Sequence, residues 1–309
     1  MKLTEAVEHS VAYLGSEAAR ASLEADTYWP KWNSPWWHML LLHELGEARR
    51  IPELAVTTMI AGLNAMPLQI FPIRPEELGT ADPYREASCH CAVGSMYQVL
   101  AACGVDVDRA VPWFVPWFGR YQMADGGLNC DSVAYLVDEC ASSMVGTVPL
   151  FEAMLARPTW TAADRAFADR AASFLIGREL RLGSSSVHNA EERDTAPSWL
   201  LPCFPRFYLY DVLRGLAALA RWCERTDQAV PAAASPVIEH LTRTFPDGIV
   251  RVQRHAHLPM RTFQHRDGAW VREPAATTFP LLEATSVIGE PSEALTRQWA
   301  ATRALLQRR

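Results

Sequence analysis

Ala124-Asp125-Gly126-Gly127-Leu128-Asn129-Cys130-Asp131 leads into segment 139–155, and the reading of this junction decides the fold. Two consecutive glycines accept positive φ at no steric cost, so Asp-Gly-Gly marks a turn. Beyond it Met144, Val148, Phe151 and Leu155 recur at i, i+4, i+7 and i+11, one stripe of an α-helix. A polar turn that feeds a buried helix places a thiol, an amide and carboxylates at the rim of a cavity.

Outward from this junction the periodicity is helical almost throughout. Residues 3–24 read as a helix with Val7, Val11 and Leu14 on one face, followed by the aromatic loop Tyr28-Trp29-Pro30-Lys31-Trp32. Ser34-Pro35 starts a helix through Trp37, Leu41 and Leu45 that stops at Gly46. His38 and His43 on it lack i, i+4 spacing and receive no role. Another helix runs from Glu53 to Leu63, and residues 66–84, with four prolines, form a connection. Helices are predicted at 86–103, ended by Gly104, and from Asp106 to Tyr121, bent by Pro112 and Pro116. Two more span 142–156 and 161–180.

Residues 181–204 are a long polar break, a lid, a binding loop or a disordered segment. Pro205 then opens a strong helix with Leu209, Leu213, Leu216 and Ala220 on one face, followed by a helix at 229–244. Residues 247–274 alternate like a strand at Ile249, Val250 and Val252 and read as a hairpin or irregular loop. Helices at 277–288 and 291–308 close a single domain, 1–309, of about eleven helices and almost no sheet.

A net charge of −6 argues against a nucleic-acid partner. No run of apolar residues is long enough to span a membrane, and the N-terminal segment reads as an acidic helix rather than a signal peptide. Seven cysteines without an export signal point to reduced thiols and a cytoplasmic location. The eleven tryptophans either fill a wide helical core or line an aromatic cavity. Helix, short turn, helix and longer loop recur in a rhythm that suggests stacked helical hairpins closing into a ring.

Cys91 to Gly94 at the head of a helix, the turn at 125–130 and Ser142-Ser143-Met144-Val145-Gly146-Thr147-Val148 together resemble the prenyltransferase and squalene-oxidase repeat family. Pro205-Arg206-Phe207-Tyr208-Leu209-Tyr210-Asp211-Val212-Leu213-Arg214 resembles the aromatic-Asp-Val-Leu-Arg helix of its bacterial members. Trp37 through Gly46 and Asp267-Gly268-Ala269-Trp270 fit the same pattern, so the likeness spans most of residues 36–290. The resemblance implies an all-α α/α toroid, with inner and outer rings of helices around a central cavity. Class II terpene cyclases and protein prenyltransferase β subunits are built this way. The Asp-x-Asp-Asp acid of the cyclases is missing, and Asp106-Val107-Asp108-Arg109 stands where a helix cap belongs. Without a carboxyl held protonated by its neighbours, initiation by protonation lacks its acid.

Cys89, His90, Cys91, Cys130, Asp131 and His188 are zinc-type donors. Protein prenyltransferases use an Asp, a Cys and a His for a catalytic zinc, so the resemblance makes zinc the candidate cofactor, with Cys91, Cys130 and His188 as ligands. Helical geometry turns residues 89 and 91 about 200° apart, and buried structural thiols are the alternative. Cys130, near a helix N-terminus that would depress its pKa, is a candidate nucleophile with His90 or His188 as base. Asp125 is a further catalytic candidate, or simply a turn former bonded to its own backbone. Asn129, Tyr208, Tyr210 and Asp211 are candidate substrate contacts, with Asp211 either satisfied within the cavity or solvated. The basic group Arg251, Arg254, Arg261 and Arg266 with His255, His257 and His265 either binds an anion or is solvated loop. The reading is an enzyme acting on a small or isoprenoid-like molecule. A non-catalytic scaffold of the same fold and a zinc-dependent transferase are the alternatives.

Overall fold

Five of the helices begin where a side chain meets the unpaired N–H groups of the first turn. Ser16, Asp106, Ser143, Thr161 and Asp211 each accept such an N–H. The computed structural model describes residues 2–65, 90–255, 257, 262–266 and 269–307. Among them are fourteen α-helices and one antiparallel hairpin. In order these are α1 (Leu3–Leu14), α2 (Glu17–Ala25), α3 (Pro35–Leu45), α4 (Glu53–Ala65), α5 (His90–Cys103), α6 (Val107–Ala110) and α7 (Phe114–Tyr121). They continue with α8 (Met144–Ala156), α9 (Ala162–Gly177), α10 (Ala190–Thr195), α11 (Val212–Thr226) and α12 (Ser235–Thr244). Strands β1 (Thr262–Arg266) and β2 (Ala269–Glu273) pair with Thr262 opposite Glu273, then α13 (Pro280–Thr285) and α14 (Glu293–Gln307) follow. No helix of the described residues is long and apolar enough to cross a membrane.

The count exceeds the expected eleven for local reasons. Gly15-Ser16 splits the first helix, Ser16 capping the second half. Pro112 separates α6 from α7, because proline supplies no N–H to the ladder. The third addition, α10, lies within 181–204. That segment is not the structureless loop its composition suggests. It holds α10 between two 3-10 turns, and the Glu192 carboxylate within it accepts the Met144 N–H at the head of α8 (2.5 Å). Arg178 from the end of α9 grips the same carboxylate at 2.6 Å.

The helix expected from Pro205 starts only at Val212. Asp211 accepts the Arg214 N–H at 2.9 Å and so stands as the N-cap, leaving 205–210 as a loop. Tyr208, Tyr210 and Asp211 therefore sit ahead of the leucine-rich helix rather than on it. The hairpin expected within 247–274 forms, although its Asp267-Gly268 turn, like the 66–84 connection and Cys89, lies outside the described residues.

α3 and α8 are apolar nearly all round, as buried helices must be. α3 packs on α5, α5 on α8, α8 on α11, α11 on α14, and α14 returns to α3. Outside this sequence α9 covers α8 and α11, α12 lies on α11, and α1 covers α3 and α13. The α5–α8 crossing is close: a Cβ on Gly94 would fall 2.5 Å from the Pro149 carbonyl carbon. Only glycine fits there.

Candidate functional site

The five helices that contact one another in turn surround a cavity of about 650 Å³, a volume suited to a small molecule. α3 contributes Leu40, His43 and Glu44 from its last turns. α5 supplies Ser95 and Gln98, α8 supplies Glu152, and α11 supplies Arg214 and Arg221. Phe204, Arg206 and Phe207 reach in from the loop before α11, and Arg297 and Gln298 from α14. These elements present a concentrated set of charges inward, which is costly unless each is paired or used.

Two of these charges pair with each other. The Arg214 guanidinium meets the Glu152 carboxylate through Nε at 3.0 Å and Nη2 at 2.6 Å, and its Nη1 donates to the Phe207 and Leu209 carbonyls, each at 2.9 Å. The Gln98 amide donates to the Pro149 carbonyl at 2.9 Å and lies 3.5 Å from Glu152.

Glu44 is held differently. Its carboxylate accepts the backbone N–H of Arg206 (2.7 Å) and of Phe207 (2.5 Å). Phe207 has φ +54, a left-handed conformation that L-residues adopt at a cost of about 1–2 kcal/mol. Glu44 holds its N–H and Arg214 its carbonyl, so two cavity side chains fix this turn from both ends.

Burial pushes the Glu44 carboxyl up to about 7, against the pull of the Arg206 and Phe207 N–H donors and of the Arg214 and Arg206 cations. Burial pushes the adjacent His43 down to about 4; the Glu152 charge opposes this, and Arg214 and Arg221 reinforce it. His43 is therefore a neutral imidazole at pH 7. Among the described residues its ring has no hydrogen-bond partner in the protein, and it faces the cavity.

The candidates singled out in the sequence fall elsewhere. Asp125 accepts the Gly127 N–H at 3.0 Å and the Ser142 hydroxyl at 2.7 Å, so it shapes its own turn. Gly126 has φ +90 there, and a Cβ on it would meet the Arg170 carbonyl oxygen at 2.2 Å. Leu128 and Ser143 bridge, and Asn129 donates its amide to the Ala141 carbonyl at 2.5 Å, fastening the turn to the head of α8. The head of α5 does meet this turn, through His90 and Cys91. The His90 Nδ1 lies 2.6 Å from the Asn129 carbonyl oxygen and 3.2 Å from the Tyr135 hydroxyl, and the Cys91 N–H donates to Cys130 Sγ at 3.4 Å. A carbonyl accepts only, so His90 carries its proton on Nδ1.

His188 is half-exposed and lies 3.7 Å from Glu139 at the surface. Among the described residues no three His, Cys, Asp or Glu side chains are grouped to hold a metal ion, Cys91, Cys130 and His188 included. Tyr208 accepts a hydrogen bond from the buried Lys31 ammonium at 3.1 Å, Tyr210 donates to the Leu180 carbonyl at 2.7 Å, and Asp211 is buried. Asp211 is the satisfied polar group of the two alternatives: it accepts Arg206 Nε at 2.7 Å and the Cys203 N–H at 3.3 Å. It positions a cavity arginine rather than facing the cavity.

Sequence reasoning missed His43, Glu44 and Glu152. The signal was present: each is a polar residue inside a helix otherwise too apolar for one exposed face. No known protein family matches the chain, and no match is found among curated proteins or among solved structures.

Proposed function

We propose that the chain is an enzyme whose site is the cavity at the centre of an α/α toroid, where Glu44 and His43 exchange a proton with a small molecule. The cyclic order of contacts, α3–α5–α8–α11–α14–α3, with further helices laid against it, supports the toroid. The observation that carries the function is the adjacent pair on α3. A neutral imidazole free of protein partners among the described residues shares the cavity with a carboxyl that titrates near neutrality. Groups with pKa values driven apart or toward pH 7 by burial are suited to acid–base chemistry.

The charged lining favours a polar substrate over the isoprenoid chain implied by the family likeness. A hydrocarbon would strip water from Glu44, Arg206 and Gln298 and return no hydrogen bonds. A cytoplasmic location is supported by the free thiols of Cys91, Cys103, Cys130, Cys140, Cys203 and Cys223.

The test is depletion from a pool of polar metabolites, followed by mass spectrometry. Wild type and Cys130→Ala deplete a compound, and Glu44→Gln and His43→Gln do not. Loss of depletion in Cys130→Ala with retention in the α3 variants returns the chemistry to the Gly-Gly turn. A non-catalytic binding protein is the second reading, favoured by the backbone bonds that occupy both Glu44 oxygens. Compounds retained by the protein but never depleted distinguish it.

A further inference from the structure

Glu44 and His43 account for the proton chemistry of the cavity but not for three other polar atoms around it. Arg206 is only 7% exposed, its Nε is committed to Asp211, and its Nη2 is buried without a hydrogen-bond partner. Gln298 presents a buried Oε1 without one, and Ser95, 1% exposed, a buried hydroxyl without one. All three side chains line the same cavity. An unpaired buried guanidinium N–H costs on the order of 1–3 kcal/mol, more because it is charged. A ligand in the cavity that supplied their partners would remove this cost.

Two of these unpaired atoms have complementary hydrogen-bonding roles. Arg206 Nη2 requires an acceptor, and a guanidinium donor is matched best by an anionic oxygen. Gln298 Oε1 requires a donor. The lining limits the ligand's charge as well. Four arginines (Arg206, Arg214, Arg221 and Arg297) face Glu44 and Glu152, with Asp211 directly behind Arg206. With Glu44 ionised, one positive charge is in excess, enough to neutralise a monoanion but not a dianion.

Resting on the proposed function of this cavity, we propose that its ligand is a small monocarboxylate bearing a hydroxyl or amino donor. The carboxylate is received by Arg206 and the donor by Gln298. Phe204, Phe207 and Leu40 are among the apolar residues of the lining and admit an apolar body on the ligand. A phosphate dianion is disfavoured, because it would leave net negative charge beside Glu152.

The inference is tested by calorimetry and ligand-observed NMR on the full chain at pH 7.5. The probes are alkyl and aryl 2-hydroxy- and 2-aminocarboxylates such as phenyllactate, their primary amides, and inorganic phosphate. At least one carboxylate is expected to bind, its amide about tenfold or more weaker, and phosphate not at all. Arg206→Lys keeps a cation for Asp211 but lacks the second nitrogen that would reach the ligand while the first holds Asp211, and weakens carboxylate binding by a similar factor while the circular dichroism is unchanged. Gln298→Leu, on half-buried α14, provides an independent variant if Arg206→Lys fails to fold, and is expected to weaken the hydroxy acid more than the plain acid.

Binding of an amide as tight as its acid, or of phosphate in place of every carboxylate, overturns the inference while leaving the cavity as the site. Failure of every probe, neutral and charged, overturns both.

Discussion

Glu44 has two tasks that pull on its charge in opposite directions. As acceptor for two backbone N–H groups it favours the carboxylate, and as a buried acid it favours the neutral form. The second effect prevails, so the folded state holds its proton above the ordinary glutamate range. Because its pKa is raised on folding, this group's stabilising effect is full below about 4.5 and lost as pH rises to about 7. His43 runs the other way. Its pKa is depressed to about 4, so folding is penalised at low pH and gains stability as pH rises from about 4 to about 6.5.

In wild type the two slopes oppose over most of one window, and the stability profile is flattened there. His43→Gln removes one slope, so the variant's melting temperature is expected to fall more steeply than wild type between pH 4.5 and 7. Parallel wild-type and variant profiles would contradict the depressed pKa of His43. Glu44→Ala leaves the Arg206 and Phe207 N–H groups unpaired and is expected to cost about 2–4 kcal/mol in denaturant unfolding at pH 5.

Among the elements, α8 and α11 are joined by one buried ion pair, Glu152 with Arg214, and its removal by halves is severe. Arg214→Met strands Glu152 and frees the Phe207 and Leu209 carbonyls, a loss of about 3–5 kcal/mol by equilibrium unfolding. The double variant Glu152→Leu/Arg214→Met recovers part of that loss, since no uncompensated charge remains. At the α5–α8 crossing Gly94→Ala drives a methyl into the Pro149–Leu150 backbone and costs about 1–3 kcal/mol or more.

Most helices were legible because their stripes and caps are local: Ser34-Pro35 and Gly46 bracket α3 in the sequence as they do in the structure. Residues 181–204 were not. The order of that segment comes from Glu192 reaching Arg178 and the Met144 N–H, contacts that no local periodicity encodes. Pro205 misled in the same way, its helix-starting signal overridden by the Asp211 cap.

At the level of the molecule, the Gly-Gly turn and the cavity divide between them what the sequence presents as one site. The turn at 124–131 is self-contained, with Asp125, Asn129 and Gly126 spent on shaping it and on fastening it to α8. The cavity draws its charges from four helices and one strained loop far apart in the chain, and so left no contiguous motif to read. His43, Glu44 and Glu152 are polar residues set in apolar helices, and the sequence reading passed over all three. Their meaning appears only when α3 and α8 face one another across a common space.

The central claim is that Glu44 is a partly buried, desolvated acid in that space, poised near neutrality. Carboxyl-carbon NMR of the glutamate-labelled protein, with Glu44 assigned by its absence in Glu44→Gln, measures this directly. The account predicts a titration midpoint near 7, displaced when a cavity ligand binds. A midpoint in the ordinary glutamate range near 4.5, indifferent to ligand, would contradict it.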